Sequence, residues 1–124
     1  IEEEGDKLKI EIKDTNRPDL LSVEGILREI KGLLGIEKGI PRYEIYDSGY
    51  EVYVDPKLKE IRPYIACAIV KDVNLGEEGF HSLIQLQDKL MQTFGRKRKK
   101  VAIGTSNFDL IEFPIYYKAV KPNE

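Results

Sequence analysis

The stretch GFHSLIQLQDKLMQTFGRKRKKVAIGTSNFD, Gly79 to Asp109, joins an apolar-striped helical pattern to a glycine, five basic residues and a β-like run. Phe80, Leu83, Ile84, Leu90, Met91 and Phe94 recur at helical spacing and mark one apolar face. Gln87 falls in the middle of that face, where the spacing asks for an aliphatic side chain. His81, Gln85, Asp88 and Gln92 recur at three- and four-residue steps and draw a polar line beside the apolar face. Gly95 is expected to end the helix, as a residue at ease with positive φ. Arg96, Lys97, Arg98, Lys99 and Lys100 follow, and Val101 and Ile103 then alternate into an expected strand.

A polar helix edge next to five consecutive cations suits an anionic, hydrogen-bonding ligand, and RNA is the obvious candidate. A second reading accounts for the same residues without a ligand. A glutamine in an apolar stripe also serves as a backbone-bonded edge of the core. A basic run after a helix also serves as a solvated loop that complements the helix dipole. Spacing leaves both open.

Leu8, Ile10 and Ile12 alternate with Lys7, Lys9, Glu11 and Lys13, the pattern of a half-buried strand. Pro18 disfavours helical angles at Arg17, and Asp19 is an expected N-cap. Leu20, Val23, Ile26, Leu27, Ile30, Leu33 and Leu34 mark the buried side of a helix ending at Gly35. Gly25 and Gly32 each cost that helix about 1 kcal/mol relative to Ala, which points to a backbone packed closely against it. Asp14, Arg17 and Asp19 are expected to form a local turn network. Residues 39–48 read as a connector, with Tyr43 and Ile45 as a short edge strand. Val52 and Val54 share one face of a strand that Asp55-Pro56 turns away. The run Tyr64-Ile65-Ala66-Cys67-Ala68-Ile69-Val70 predicts a central strand covered on both faces. Asn74 and Glu77 are spaced as a capping box for the second helix. Phe113 to Tyr117 predicts a last strand. The fold class is therefore α/β (α+β): a layered domain of two main helices packed on a mixed sheet of five or six strands.

Composition narrows function. The 124 residues are 41% hydrophobic and 34% charged, with a net charge of −2, so any nucleic-acid contact must come from a local patch. One cysteine and one histidine exclude a Cys/His zinc cage from this chain alone, and no metal site is expected. Cys67 reads as a buried small hydrophobe in a reducing compartment. No apolar run approaches a membrane span, and no signal-peptide pattern is present. The first residue is Ile1, within an acidic run, and the chain reads as a fragment of a larger one. Glycine spacings for nucleotide binding are absent. His81 and Ser82 are helix neighbours about 100° apart and do not make a nucleophile–base pair. Glu77 and Glu78 at a helix start are explained by its dipole.

The strings DTNRPDLLSVEGILREIKGLLG (14–35), VDPKLKEIRPYIACAIVKDV (54–73), IQLQDKLMQTFGRKRKKVAIG (84–104) and PIYYKAV (114–120) resemble the β subunit of phenylalanyl-tRNA synthetase, archaeal and eukaryal type. The similarity is collinear over nearly the whole chain. It implies that residues 1–13 are the strand ending an N-terminal module, and 14–124 the first part of an editing module. That module hydrolyses tRNA wrongly charged with tyrosine, and is expected to continue beyond Glu124. The resemblance also implies a cytoplasmic ligase working as an (αβ)2 assembly with tRNA(Phe), the rest of the β subunit and the α subunit. ATP and magnesium serve the aminoacylation site of the α subunit, and no cofactor is expected in this fragment. By family position, Gln87 and Asp88 contribute to editing by positioning water or the ribose, and Arg98 contacts phosphate or adenosine. Lys97 and Lys99 attract the RNA backbone. The alternative is a structural or assembly segment of the β subunit with no direct site role. The turn Thr105-Ser106-Asn107 departs from common members of the family and is left unassigned.

Overall fold

The computed structural model describes residues 1–5, 7–13 and 15–121. Two short strands, β1 (Glu2–Glu4) and β2 (Lys7–Lys9), precede a 3-10 turn at Pro18–Leu21 and helix α1 (Val23–Leu33). Then come β3 (Val52–Val54), a 3-10 turn at Pro56–Glu60, helix α2 (Gly76–Gln92), a 3-10 turn at Phe108–Leu110, and β4 (Ile115–Tyr117). The chain forms two compact units. The first takes Ile1–Arg42 with Asn74–Gly104, the second Tyr43–Val73 with Thr105–Glu124.

In the first unit, β1 and β2 pair antiparallel, with Glu3 opposite Leu8. Arg17 is extended, as Pro18 requires. Asp19 does not cap the helix. Its carboxylate is taken by the Arg17 guanidinium, with Nε and an Nη donating at 2.9 and 2.8 Å. Ser22 caps instead, its Oγ accepting from the Gly25 amide and donating to the Asp19 carbonyl, both at 3.1 Å. Asp14, the third member of the expected turn network, lies outside the described residues; Thr15 Oγ1 accepts from the Arg17 amide at 2.9 Å. Arg17 also pairs with Glu29 at 3.1 Å.

Those hydrogen bonds from Arg17 hold the Asp19 carboxyl below its ordinary value. A lowered folded-state pKa adds stability above the ordinary carboxylate range and loses it as pH falls through the folded value. Both groups face water, so the contribution is small. Arg17→Ala is expected to move the Asp19 titration upward, followed by carboxyl NMR chemical shifts; a titration that stays in place contradicts the pairing.

Helix α1 ends as its glycine demands. Gly35, at φ 73°, donates its amide to the Gly32 carbonyl at 3.1 Å, and Ile36 donates to Lys31 at 2.9 Å, a Schellman pair. The expected close backbone is present at Gly25, where an added Cβ would stand 1.8 Å from the Asp19 carbonyl oxygen. It is absent at Gly32, where the nearest neighbour to such a Cβ lies 3.8 Å away. Helix α2 meets the start of α1 through two side chains. Lys89 Nζ donates to the Leu21 carbonyl at 3.0 Å, and Ser82 Oγ donates to Glu24 at 3.3 Å. The expected Asn74–Glu77 capping box does not form. Leu75 occupies the N-cap position with no side-chain hydrogen bond, leaving Asn74 one residue early.

In the second unit, β3 and β4 run parallel, with Tyr53 opposite Tyr116 and their rings stacked at 5.6 Å. Tyr50, Phe108 and Phe113 pack together, the Tyr50–Phe113 centroids 4.2 Å apart. Asp55 turns the chain by accepting from the Lys57 amide at 2.9 Å, and Leu58 is buried.

The mixed α/β class with two helices stands, but the sheet is smaller than expected. Among the described residues there are four strands of three residues each, in two separate pairs, rather than one sheet of five or six. Tyr64–Val70 forms no strand: Tyr64 is 88% exposed, Val70 75%, and Cys67 is exposed rather than buried. Tyr43, Ile45, Val101 and Ile103 are likewise outside strands. The physical reason is common to all of them, since a strand persists only where a neighbour completes its hydrogen-bond ladder. Leu58 and Met91 are the buried hydrophobic side chains among the described residues.

Candidate nucleic-acid interface

Helix α2 is electrostatically polar along its length. Glu77 and Glu78 occupy its first turn and Lys89 its last, with the basic run immediately beyond. Its 17 residues separate the two ends by about 25 Å. The polar line beside the apolar face is present: His81 Nδ1 meets Gln85 Nε2 at 3.3 Å, and Asp88 and Gln92 are exposed. His81 and Ser82 have different partners, Gln85 and Glu24, so no nucleophile–base pair forms.

The helix ends in an unusual way. Thr93 Oγ1 donates to the Lys89 carbonyl at 2.7 Å, and the Gly95 amide reaches back to Leu90 at 2.8 Å. Gly95 is not left-handed. The left-handed residues are the next three, Arg96 (φ 48°), Lys97 (φ 54°) and Arg98 (φ 66°). What Gly95 supplies is space. It is buried, and a Cβ there would stand 2.6 Å from the Val101 carbonyl oxygen and 2.7 Å from that of Met91. The turn closes on itself through Arg98 donating to Met91 at 3.2 Å and Lys100 donating to Gly95 at 2.9 Å.

Magnitudes separate the two readings of this run. A non-glycine residue in left-handed conformation costs about 1–2 kcal/mol, so three in a row cost about 3–6 kcal/mol. Repulsion between neighbouring cations adds about 0.6 kcal/mol per pair at ~7 Å in water, reduced by salt. The helix dipole returns about 0.3–1 kcal/mol for a cation in or near the last turn and fades beyond it. Dipole compensation therefore covers one or two of the cations, not five. Among the described residues, Arg96, Lys97, Lys99 and Lys100 make no ion pair or side-chain hydrogen bond, unlike Lys13, Arg17 and Lys31, which are ion-paired.

The residues singled out from the sequence sit as follows. Gln87, 7% exposed, and Met91, 5% exposed, lie one turn apart on the packed face of α2. Asp88 is open to solvent on the adjoining face. Lys97, Arg98 and Lys99 are exposed, and the Arg98 amide is seated on the Met91 carbonyl, one turn beyond Gln87. Gln87 and Arg98 each have an interaction partner within the protein. Asp88 thus lies on the exposed side of the last turns of α2, Gln87 on its packed side, and the basic run follows the helix end. Sequence reasoning gave no role to Arg96 and Lys100 individually, although the unbroken run already signalled them. The left-handed backbone had no signal, because Arg and Lys show no preference for that region.

The second unit has a shallow depression of about 230 Å³ lined by Tyr53, Val54, Asp55, Tyr116, Tyr117 and Lys118. It falls below the roughly 300–1,000 Å³ typical of ligand pockets. No helix among the described residues is long and apolar enough to cross a membrane.

Comparison with known proteins supplies the context. No protein-family model matches the chain. It is 56% identical over 116 residues to the phenylalanine–tRNA ligase beta subunit of Pyrococcus horikoshii, covering 94% of this chain and 21% of that protein. Identity to the beta subunit of Thermococcus sibiricus is 55% over the same length and coverage. Among solved structures, an N-terminal fragment of the phenylalanyl-tRNA synthetase beta subunit from Pyrococcus horikoshii superposes with a TM-score of 0.84 at 57% identity, covering 90% of this chain and 32% of that one. The chain thus spans about a fifth of the length of the curated relatives it matches.

Proposed function

The chain belongs to the β-subunit family of phenylalanine–tRNA ligase, as a part of that subunit, and from this premise we propose that it contributes to tRNA contact and to hydrolytic editing of tyrosyl-tRNA(Phe). Residues 1–13 then end the N-terminal module and 14–124 begin the editing module. The work is cytoplasmic, within an (αβ)2 assembly with the α subunit and the remainder of the β subunit. ATP and magnesium belong to aminoacylation in the α subunit. Among the described residues no group of three His, Cys, Asp or Glu is placed to hold a metal ion.

Editing answers a limit on selectivity. Tyrosine differs from phenylalanine by one hydroxyl, which an apolar pocket rejects weakly, so a second site removes the error. Hydrolysis breaks the bond between the amino-acid carbonyl carbon and a ribose oxygen, with water adding to the carbonyl and the ribose leaving as its hydroxyl. Asp88, open to solvent, orients the water or the ribose. Gln87 holds this turn of the helix from its packed side, and Arg98, Lys97 and Lys99 meet the phosphates.

The observation that carries this reading is the Arg98 amide seated on Met91 at 3.2 Å, which fixes the basic turn to the helical turn that follows Asp88. The test is tyrosyl-tRNA(Phe) hydrolysis by the full assembly with Asp88→Ala. A loss of about 10–100-fold is expected, with phenylalanine charging retained; unchanged hydrolysis overturns the assignment. A structural and assembly role is favoured by different observations, the burial of Gln87 and the exposure of Val23, Leu27, Ile30 and Leu34 on α1. On that reading Asp88→Ala is silent and substitutions on α1 weaken assembly.

A further inference from the structure

We propose that Arg96 and Lys100 complete, with Lys97, Arg98 and Lys99, one preset comb of five cations that grips the phosphodiester backbone of RNA without reading its bases. The inference rests on the tRNA-contact reading above and deepens it, adding two residues and a reason for the backbone shape.

Three observations meet at this turn. Its backbone is left-handed at three successive non-glycine residues, a conformation held only where its surroundings over-determine it. The surroundings do so here, through the closure of Lys100 onto Gly95, the seating of Arg98 on Met91, and the space kept free by Gly95. The shape is therefore set before any ligand arrives, and little ordering remains to oppose binding. The second observation is charge. In a chain of net charge −2, Arg96, Lys97, Lys99 and Lys100 carry no ion pair among the described residues, and all five side chains of the run are exposed. The third is chemical type. Two guanidiniums and three ammoniums, with no aromatic residue among them, match phosphate oxygens and not base faces. Five cations on consecutive residues exceed the charge of a single small anion and suit a run of phosphates.

The experiment measures the affinity of the full ligase assembly for an unmodified tRNA(Phe) transcript against salt concentration. The paired variant R96Q/K100Q is expected to lower the slope of log K against log[salt] by about 2, and K97Q/K99Q by a similar amount. Lys97→Gly is expected to reduce the slope as much as Lys97→Gln, yet to melt at a higher temperature, because glycine relieves the left-handed backbone. An unchanged slope in R96Q/K100Q beside a reduced one in K97Q/K99Q overturns the five-cation comb and leaves the tRNA-contact reading standing. Unchanged slopes in both overturn the two together. Unchanged RNA binding with weakened subunit association shows an acidic protein surface as the partner and overturns the proposal. A Lys97→Gly variant that melts below Lys97→Gln overturns the preset shape.

Discussion

Gly25→Ala is expected to destabilise the protein by about 3 kcal/mol or more, whereas Gly32→Ala, the same substitution seven residues along the same helix, is expected to be neutral or to stabilise by about 0.5–1 kcal/mol. The difference lies in what a methyl group meets. At Gly25 it would stand 1.8 Å from the Asp19 carbonyl oxygen and 2.4 Å from its carbon. Both are backbone atoms, so no rotamer change relieves the clash. The 3-10 turn Pro18–Leu21 would have to leave the helix, taking with it the Ser22 hydroxyl that bonds both Asp19 and Gly25. At Gly32 the nearest such neighbour lies 3.8 Å away, an ordinary contact, and alanine gains its usual helix preference. Urea denaturation of the β subunit carrying each variant checks the pair. Equal effects at the two positions contradict the packing described.

Gly95→Ala is the second large effect, with an expected loss of about 2–3 kcal/mol and of RNA binding as well. The added methyl would stand 2.6, 2.7 and 2.9 Å from the Val101 oxygen, the Met91 oxygen and the Met91 Cα. The backbone at Met91 that accepts from Arg98 is the same backbone the methyl would push. The basic turn therefore comes off the helix end without losing a single charge. Paired measurements of melting temperature and tRNA affinity check this. A variant that melts lower but binds RNA with wild-type strength shows that the seating of the turn is irrelevant to binding.

Elements that depend on local chemistry were legible from the residues alone. Both helices were, because their apolar periodicity, the Gly35 stop and the acidic start of α2 act within a turn or two of the backbone, but the expected buried side of α1 is not buried: Val23, Leu27, Ile30, Leu33 and Leu34 are exposed. The cap of α1 was misplaced by three residues because Arg17 competes for Asp19, a contest that propensity does not express. Strands were legible only where a partner lies within the chain. Val52–Val54 finds Ile115–Tyr117, whereas Tyr64–Val70 has the composition of a central strand and joins no ladder among the described residues. Cys67 followed that run to the surface. At the candidate site, the unusual residue types were plain in the sequence, but the turn that presents them was not. Three left-handed cationic residues have no local preference for that shape, and it is the contacts at Met91 and Gly95 that impose it.

On the proposed reading, Asp88 and Arg98 act as parts of one surface at the end of α2. The decisive measurement is a double-mutant cycle, with Asp88→Ala, Arg98→Ala and the double variant in the full assembly, each followed by hydrolysis of tyrosyl-tRNA(Phe). The double variant is expected to lose much less than the product of the two single losses, by roughly tenfold, corresponding to a coupling of about 1.4 kcal/mol. Single losses that simply multiply would contradict it.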